Sequence, residues 1–165
     1  MKNNLFFISL FILAACTSER DKIKKDNSKA ADTAENAAPK KIRASLAGIL
    51  SKREVPVLCY HHIRAIHAGQ SESMKSYSVT PAALAAQMKA LHDSGYETIL
   101  PHQLYNYLVF NEALPAKPVM LTFDDTDKEQ YSIGAAEMNK YGFKGVFFIM
   151  TIAINRPRYM SKEEL

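Results

Sequence analysis

The chain has 165 residues, 47% hydrophobic and 23% charged, and its 21 Lys and Arg against 17 Asp and Glu leave a formal net charge of +4. That composition excludes wholesale disorder, collagen and coiled coil, and two cysteines, Cys16 and Cys59, exclude a disulfide scaffold or a four-thiolate zinc site. The basic excess is small and concentrated in one segment, which argues against a nucleic-acid partner.

Leu5 to Ala15 (LFFISLFILAA) run almost wholly apolar before Cys16. A helix needs about 20 residues to cross a bilayer of roughly 30 Å, so this stretch fits a signal-peptide core rather than a span. Leu13-Ala14-Ala15-Cys16 resembles the bacterial lipobox, which implies cleavage before Cys16, acylation of that cysteine and a lipid anchor. The alternative is a secreted protein with a chance cysteine. With Cys16 consumed, Cys59 is expected to be a small buried hydrophobe in a strand.

Residues 17–54 contain no aromatic side chain and interleave charges with Ala, Ser and Asn, so they read as a solvated tether whose lysines confer solubility. Within it, Ile42 to Ser51 supports a weak helix with Ile42, Leu46, Ile49 and Leu50 apolar, despite Gly48.

From Val55 the pattern alternates strand and helix. Val55 to Ile63 (VPVLCYHHI) is a short apolar run opened by a proline, a buried strand by this pattern. Thr80 caps a helix with Pro81 at its first position, Leu84, Met88 and Leu91 inward, and Gly95 as its stop. Tyr96 to Leu100 reads as a strand and His102 to Phe110 as a helix with Leu104, Tyr107 and Leu108 inward. Pro115 and Pro118 bound a loop before the strand Val119 to Asp125 (VMLTFDD). Thr126 with Glu129, or Asp127 with Gln130, makes a capping box for the next helix. Tyr131, Ala135, Met138 and Tyr141 are its expected buried stripe, Gly142 its end, and Gly145 to Met150 a further strand. Alternation at this spacing predicts an α/β fold, parallel strands joined by helices.

Ser161 and Glu164 form one more capping box, followed only by Leu165. One helical turn does not persist in water and four parallel strands do not close a barrel. The chain is therefore expected to be the N-terminal part of a longer protein.

Asp124 and Asp125 carry the candidate chemistry. Adjacent carboxylates at the end of a buried strand are costly unless paired, and Thr126 and Asp127 are better placed as caps. One carboxylate could face a bound divalent metal while the other takes a proton from the metal's water, at the strand ends where parallel folds hold their sites. The other reading, capping and solvation, stands beside it.

Three blocks carry a resemblance: Val57 to Ile63 (VLCYHHI), Lys117 to Asp125 (KPVMLTFDD) and Tyr141 to Ile149 (YGFKGVFFI). In order and spacing they resemble the polysaccharide deacetylases with the NodB-homology domain, and Tyr-His-His-Ile is most similar to deacetylases of poly-N-acetylglucosamine. The resemblance covers residues 55–165. It implies the N-terminal portion of a distorted (β/α) barrel and a metal-dependent hydrolase that removes N-acetyl groups from an envelope or extracellular polysaccharide. It implies Asp124 as general base and Asp125 as ligand of a divalent metal, by family usage zinc. It also favours His61 over His62 as the histidine near the site, with a satisfied structural role for His61 the open alternative; His62, His67, His92 and His102 read as structural, and Tyr60, Phe123, Phe147 and Phe148 as core.

Three features depart from that pattern. Thr126 stands where the family has glycine, no pair among the five histidines has the His-x-x-x-His spacing of the remaining ligands, and the later histidine that would protonate the departing amine has no counterpart. The chain alone is therefore expected to be a poor catalyst. Together these readings give a deacetylase domain on a bacterial envelope, lipid-anchored to a membrane, the outer one favoured because Thr17 is not aspartate. The different-class alternative is a non-catalytic envelope lipoprotein that at most binds glycan.

Overall fold

The computed structural model describes residues 41–165, so Cys16, the apolar run before it and residues 17–40 of the expected tether lie outside the described residues. Helix α1 (Leu46–Leu50) is shorter than the periodicity suggests; Ser45 caps it, its Oγ accepting from the Gly48 N–H at 3.1 Å. Ile42, Leu46 and Leu50 are exposed, so α1 has no buried stripe. The segment instead meets residues 109–116 through polar groups: Ala44 N–H donates to Val109, Lys52 to the Asn111 side chain and Arg53 to the Ala116 carbonyl.

The first strand breaks in two. β1 (Val57–Tyr60) stops before His61, and β2 (His62–Ile63) pairs with β3 (Ser78–Val79), which follows a short helix α2 (Glu72–Ser76) that the apolar pattern does not reveal. Local signals hold best in α3 (Pro81–Asp93): Thr80 Oγ1 accepts from the Ala83 N–H, Pro81 occupies the first turn, and Leu84 and Met88 are fully buried. Gly95, at φ +73°, supplies the left-handed stop. β4 (Glu97–Thr98), α4 (Pro101–Phe110), β5 (Pro118–Asp124) and β6 (Gly145–Phe148) follow in the expected order.

β5 is the centre of a parallel sheet. Met120 donates to the Pro56 carbonyl while Ile99 donates to Val119, so β1 lies on one edge of β5 and β4 on the other. β6 continues beyond β4, pairing Leu121 with Gly145 through Asp124 with Phe148. The result is an α/β fold of parallel strands alternating with helices.

Register explains which side chains are covered. Tyr60, Phe123 and Phe147 are cross-strand partners and their rings stack, with centroids 5.3 and 4.9 Å apart. This face carries the helices: a Cβ on Gly134 would meet Ile63 at 3.0 Å and Phe123 at 3.2 Å, so only glycine lets the helix approach. The opposite face carries Cys59, Asp124 and Phe148, because side chains alternate along a strand.

Among the described residues no element fully covers that second face, which corrects two expectations. Cys59 is exposed rather than buried, and Phe148 is 58% exposed rather than core.

The helix after β5 departs most from its reading. Residues 128–139 are helical, but Gln130–Ala135 form a π-helical stretch before α5 (Ala136–Asn139). The wider turn shifts the buried positions to Gln130, Gly134 and Met138, and Tyr131 is exposed. Neither Thr126 nor Asp127 caps it. Thr126 Oγ1 accepts from the Met150 N–H at 2.7 Å, and the Asp127 carboxylate is turned inward onto basic side chains. The Ser161 box does form: its N–H donates to Glu164 at 2.8 Å, which with Lys128 holds the Glu164 carboxyl below the usual carboxylate range.

Candidate active site

The site sits at the carboxyl ends of β1 and β5. Asp124 is the last residue of β5; its Oδ2 lies 3.9 Å from His61 Nε2, and its Oδ1 is buried with no hydrogen-bond partner. His61 occupies the break between β1 and β2, where its ring meets the Tyr77 ring edge-on at 4.8 Å between centroids. Cys59 Sγ is 4.0 Å from His61 Nδ1. One donor atom from each of Cys59, His61 and Asp124 lies within 4.8 Å of the other two. His61, favoured by the resemblance as a neighbour of the site, lies near Asp124, and Cys59 lies beside both.

Asp125 does not join that group. It is partly exposed on the turn after β5, with φ 78°, and Thr126 follows at φ 63°. Two successive left-handed residues aim the carboxylates of Asp124 and Asp125 differently. For threonine this backbone is strained, so Thr126→Gly should be more stable than Thr126→Ala by about 1 kcal/mol in chemical denaturation. Both lose the hydroxyl that accepts from Met150; only glycine relaxes the backbone. Equal stabilities would remove the strain argument.

A side chain that sequence reasoning missed ties the two strand ends together. Gln130 is fully buried, and its Nε2 donates to the His61 carbonyl at 2.7 Å and to the Asp124 carbonyl. A glutamine at a helix start reads as half of a capping box, and nothing local signals this clamp. Beneath the turn lies a second polar group: Asp127, fully buried, pairs with His62 and with Arg64, which also binds Glu129. His62 therefore has a structural partner and faces away from Asp124's neighbours.

Beside the site a cavity of about 380 Å³ is lined by Tyr60, His61, Tyr77 and Gln87. Burial pushes the Tyr60 hydroxyl above its ordinary pKa, and that hydroxyl donates to Gln87 at 2.9 Å. A larger cavity, about 540 Å³, follows β1 and α3 past Leu58, Ala90 and Leu91 and is mostly apolar; neither cavity is lined by a carboxylate, and it is the smaller one that reaches His61.

Parallel strands alternating with helices, with a carboxylate pair at the carboxyl end of the central strand, fit part of a (β/α) barrel. Comparison with known proteins makes this specific. No family model matches the chain. It is 27% identical over 96% of its length to YxkH of Bacillus subtilis (strain 168), a protein assigned by its name to the polysaccharide deacetylases, of which it spans 58%. Among solved structures, the Streptococcus pyogenes deacetylase PplD in complex with acetate superposes with TM-score 0.58 at 25% identity, covering 67% of this chain and 49% of that one. BC0361, a polysaccharide deacetylase from Bacillus cereus, gives TM-score 0.56 at 28% identity over 68% of this chain and 34% of its own. IcaB from Ammonifex degensii gives 0.57 at 25%, covering 67% and 46%. The chain is similar to polysaccharide deacetylases in both sequence and fold. It spans about half the length of the relatives it matches.

Proposed function

We propose that this chain contributes the base-bearing part of a metal-dependent deacetylase acting on an N-acetylated polysaccharide of the bacterial envelope, lipid-anchored through Cys16. The single observation that carries the reading is Asp124 Oδ1, a carboxylate oxygen buried without a partner at the end of the central strand. An unsatisfied buried acceptor is costly unless something is held there.

Asp124 acts as the general base, receiving a proton from the attacking water, with His61 Nε2 3.9 Å from its Oδ2. Asp125, partly exposed and aimed elsewhere by its left-handed backbone, is the metal ligand in this reading. A lone partly exposed carboxylate with further ligands to be supplied suits a zinc-class ion as one member of its donor set. When bound, such an ion lowers the pKa of a coordinated water and polarises the amide carbonyl. Gln130 holds the two strand ends at fixed separation through the His61 and Asp124 carbonyls.

The test is acetate release from N-acetylglucosamine oligomers by the full reading frame, before and after chelation. The expected result is release that stops on chelation and returns with zinc. Release indifferent to chelation would remove the metal, and oligomer binding without any release would favour the non-catalytic lipoprotein. For the anchor, labelling with radioactive fatty acid should disappear in Cys16→Ser; retained label would refute it.

A further inference from the structure

Cys59 has no role in the proposed reaction, yet it is the exposed thiol of the described residues and stands beside the candidate base. Its position follows from register: Cys59 pairs with Thr122 across β1 and β5, on the face opposite the stacked rings of Tyr60 and Phe123. Asp124, two residues beyond Thr122, shares that face. His61 extends from the end of β1 over the same spot, its ring held by Tyr77.

We propose that the Cys59 thiolate, the His61 imidazole and the Asp124 carboxylate form a second cation seat, separate from Asp125, for zinc or another divalent ion that tolerates sulfur. The three donor atoms already lie within 4.8 Å of one another. Tetrahedral zinc, with metal–sulfur near 2.3 Å and metal–nitrogen or metal–oxygen near 2.0–2.2 Å, brings neighbouring donors to roughly 3.3–3.8 Å. Side-chain rotation of about 1 Å closes the difference, and exposure of Cys59 leaves room for it. Thiolate with imidazole selects zinc-class ions over magnesium and calcium, which prefer oxygen. Asp124 Oδ1 has no hydrogen-bond partner among the described residues, so a cation there displaces none. Binding releases the thiol proton to solvent. The seat exists whether or not the chain turns over substrate, and an ion in it occupies the carboxylate proposed as base.

The experiment uses the full chain carrying Cys16→Ser, titrated with cobalt as a spectroscopic stand-in for zinc. A thiolate-to-cobalt charge-transfer absorption is expected, retained in Asp125→Asn. In Cys59→Ser it should vanish and cobalt affinity should fall by more than the roughly 10–100-fold typical of losing an outer-shell partner. Absence of the band in the Cys16→Ser chain, or cobalt affinity unchanged in Cys59→Ser, overturns the proposal. As a measurement free of mutation at the site, alkylation of Cys59 followed by mass spectrometry should slow at least about tenfold with zinc, since a coordinated thiolate is withdrawn as a nucleophile, and not with magnesium. Equal rates with zinc and magnesium likewise overturn it. Cobalt binding that shows no sulfur charge-transfer band and is lost in Asp125→Asn would overturn the seat and place the ion at the proposed catalytic ligand, separating failure of this seat from failure of the deacetylase reading.

Discussion

Asp127→Ala is expected to destabilise the protein by about 3 kcal/mol, and to lower the melting temperature by about 10 °C. The carboxylate has no exposed surface, and it is the shared partner of His62, itself almost buried, and of Arg64. Arg158 Nε stands 3.4 Å from the other oxygen. Removing one member of a buried ionic group leaves the rest uncompensated, which commonly costs about 3–5 kcal/mol. The lower end applies here because Arg64 keeps Glu129 and is partly exposed. Asp127→Asn preserves volume and one acceptor, so it should cost less than alanine. The measurement is urea unfolding of both variants; a loss below about 1 kcal/mol for alanine would show that the group is not a keystone.

The consequence reaches the site. The Asp127 backbone sits in the turn that begins at Asp125 and is bridged to Tyr159, while Lys128 donates to the Arg158 carbonyl and Met160 to that of Thr126. Loosening Asp127 therefore frees the turn that aims both candidate carboxylates. Its stability loss and any loss of activity should appear together, unlike those of Asp124.

What was legible in the sequence follows the range of the interactions. Thr80 and Pro81 announce α3 because cap and first turn are neighbours in the chain, and Val119 to Asp124 reads as a strand because every residue of it is buried or nearly so. The carboxylate pair could be singled out, and His61 preferred over His62, on residue type and resemblance. The pairing of Asp127 with His62 and Arg64 could not, since those partners are 65 and 63 residues away. A capping box was the only local explanation for Asp127 and Gln130, and tertiary contacts overrode it. The π-helical stretch hid the true stripe, because a period of 3.6 puts Tyr131 inward where the wider turn puts Gln130. Cys59 was misjudged because a strand in a parallel sheet is ordinarily covered on both faces, and here Cys59 is exposed although Met120 and Thr122 of β5, on the same face, are buried.

Asp124→Asn is expected to reduce acetate release by about 10²–10⁴-fold while leaving the fold intact. An amide of the same shape accepts no proton at neutral pH, so the base is lost and little else. Among the described residues the side chain's one ion-pair-range contact is with His61 at 3.9 Å, both groups partly exposed, a contact worth less than about 1 kcal/mol. Its structural contribution runs instead through the main-chain carbonyl that accepts from Gln130, which the substitution keeps. Unfolding curves should therefore superpose on those of the unaltered chain to within about 1 kcal/mol while turnover collapses. Asp124→Glu provides the complementary case: the proton acceptor is present but advanced by one methylene, so partial activity is expected in place of none. Activity unchanged in Asp124→Asn would assign the proton to another group, and the buried, unpartnered Oδ1 would then be explained by the Cys59 cation seat alone.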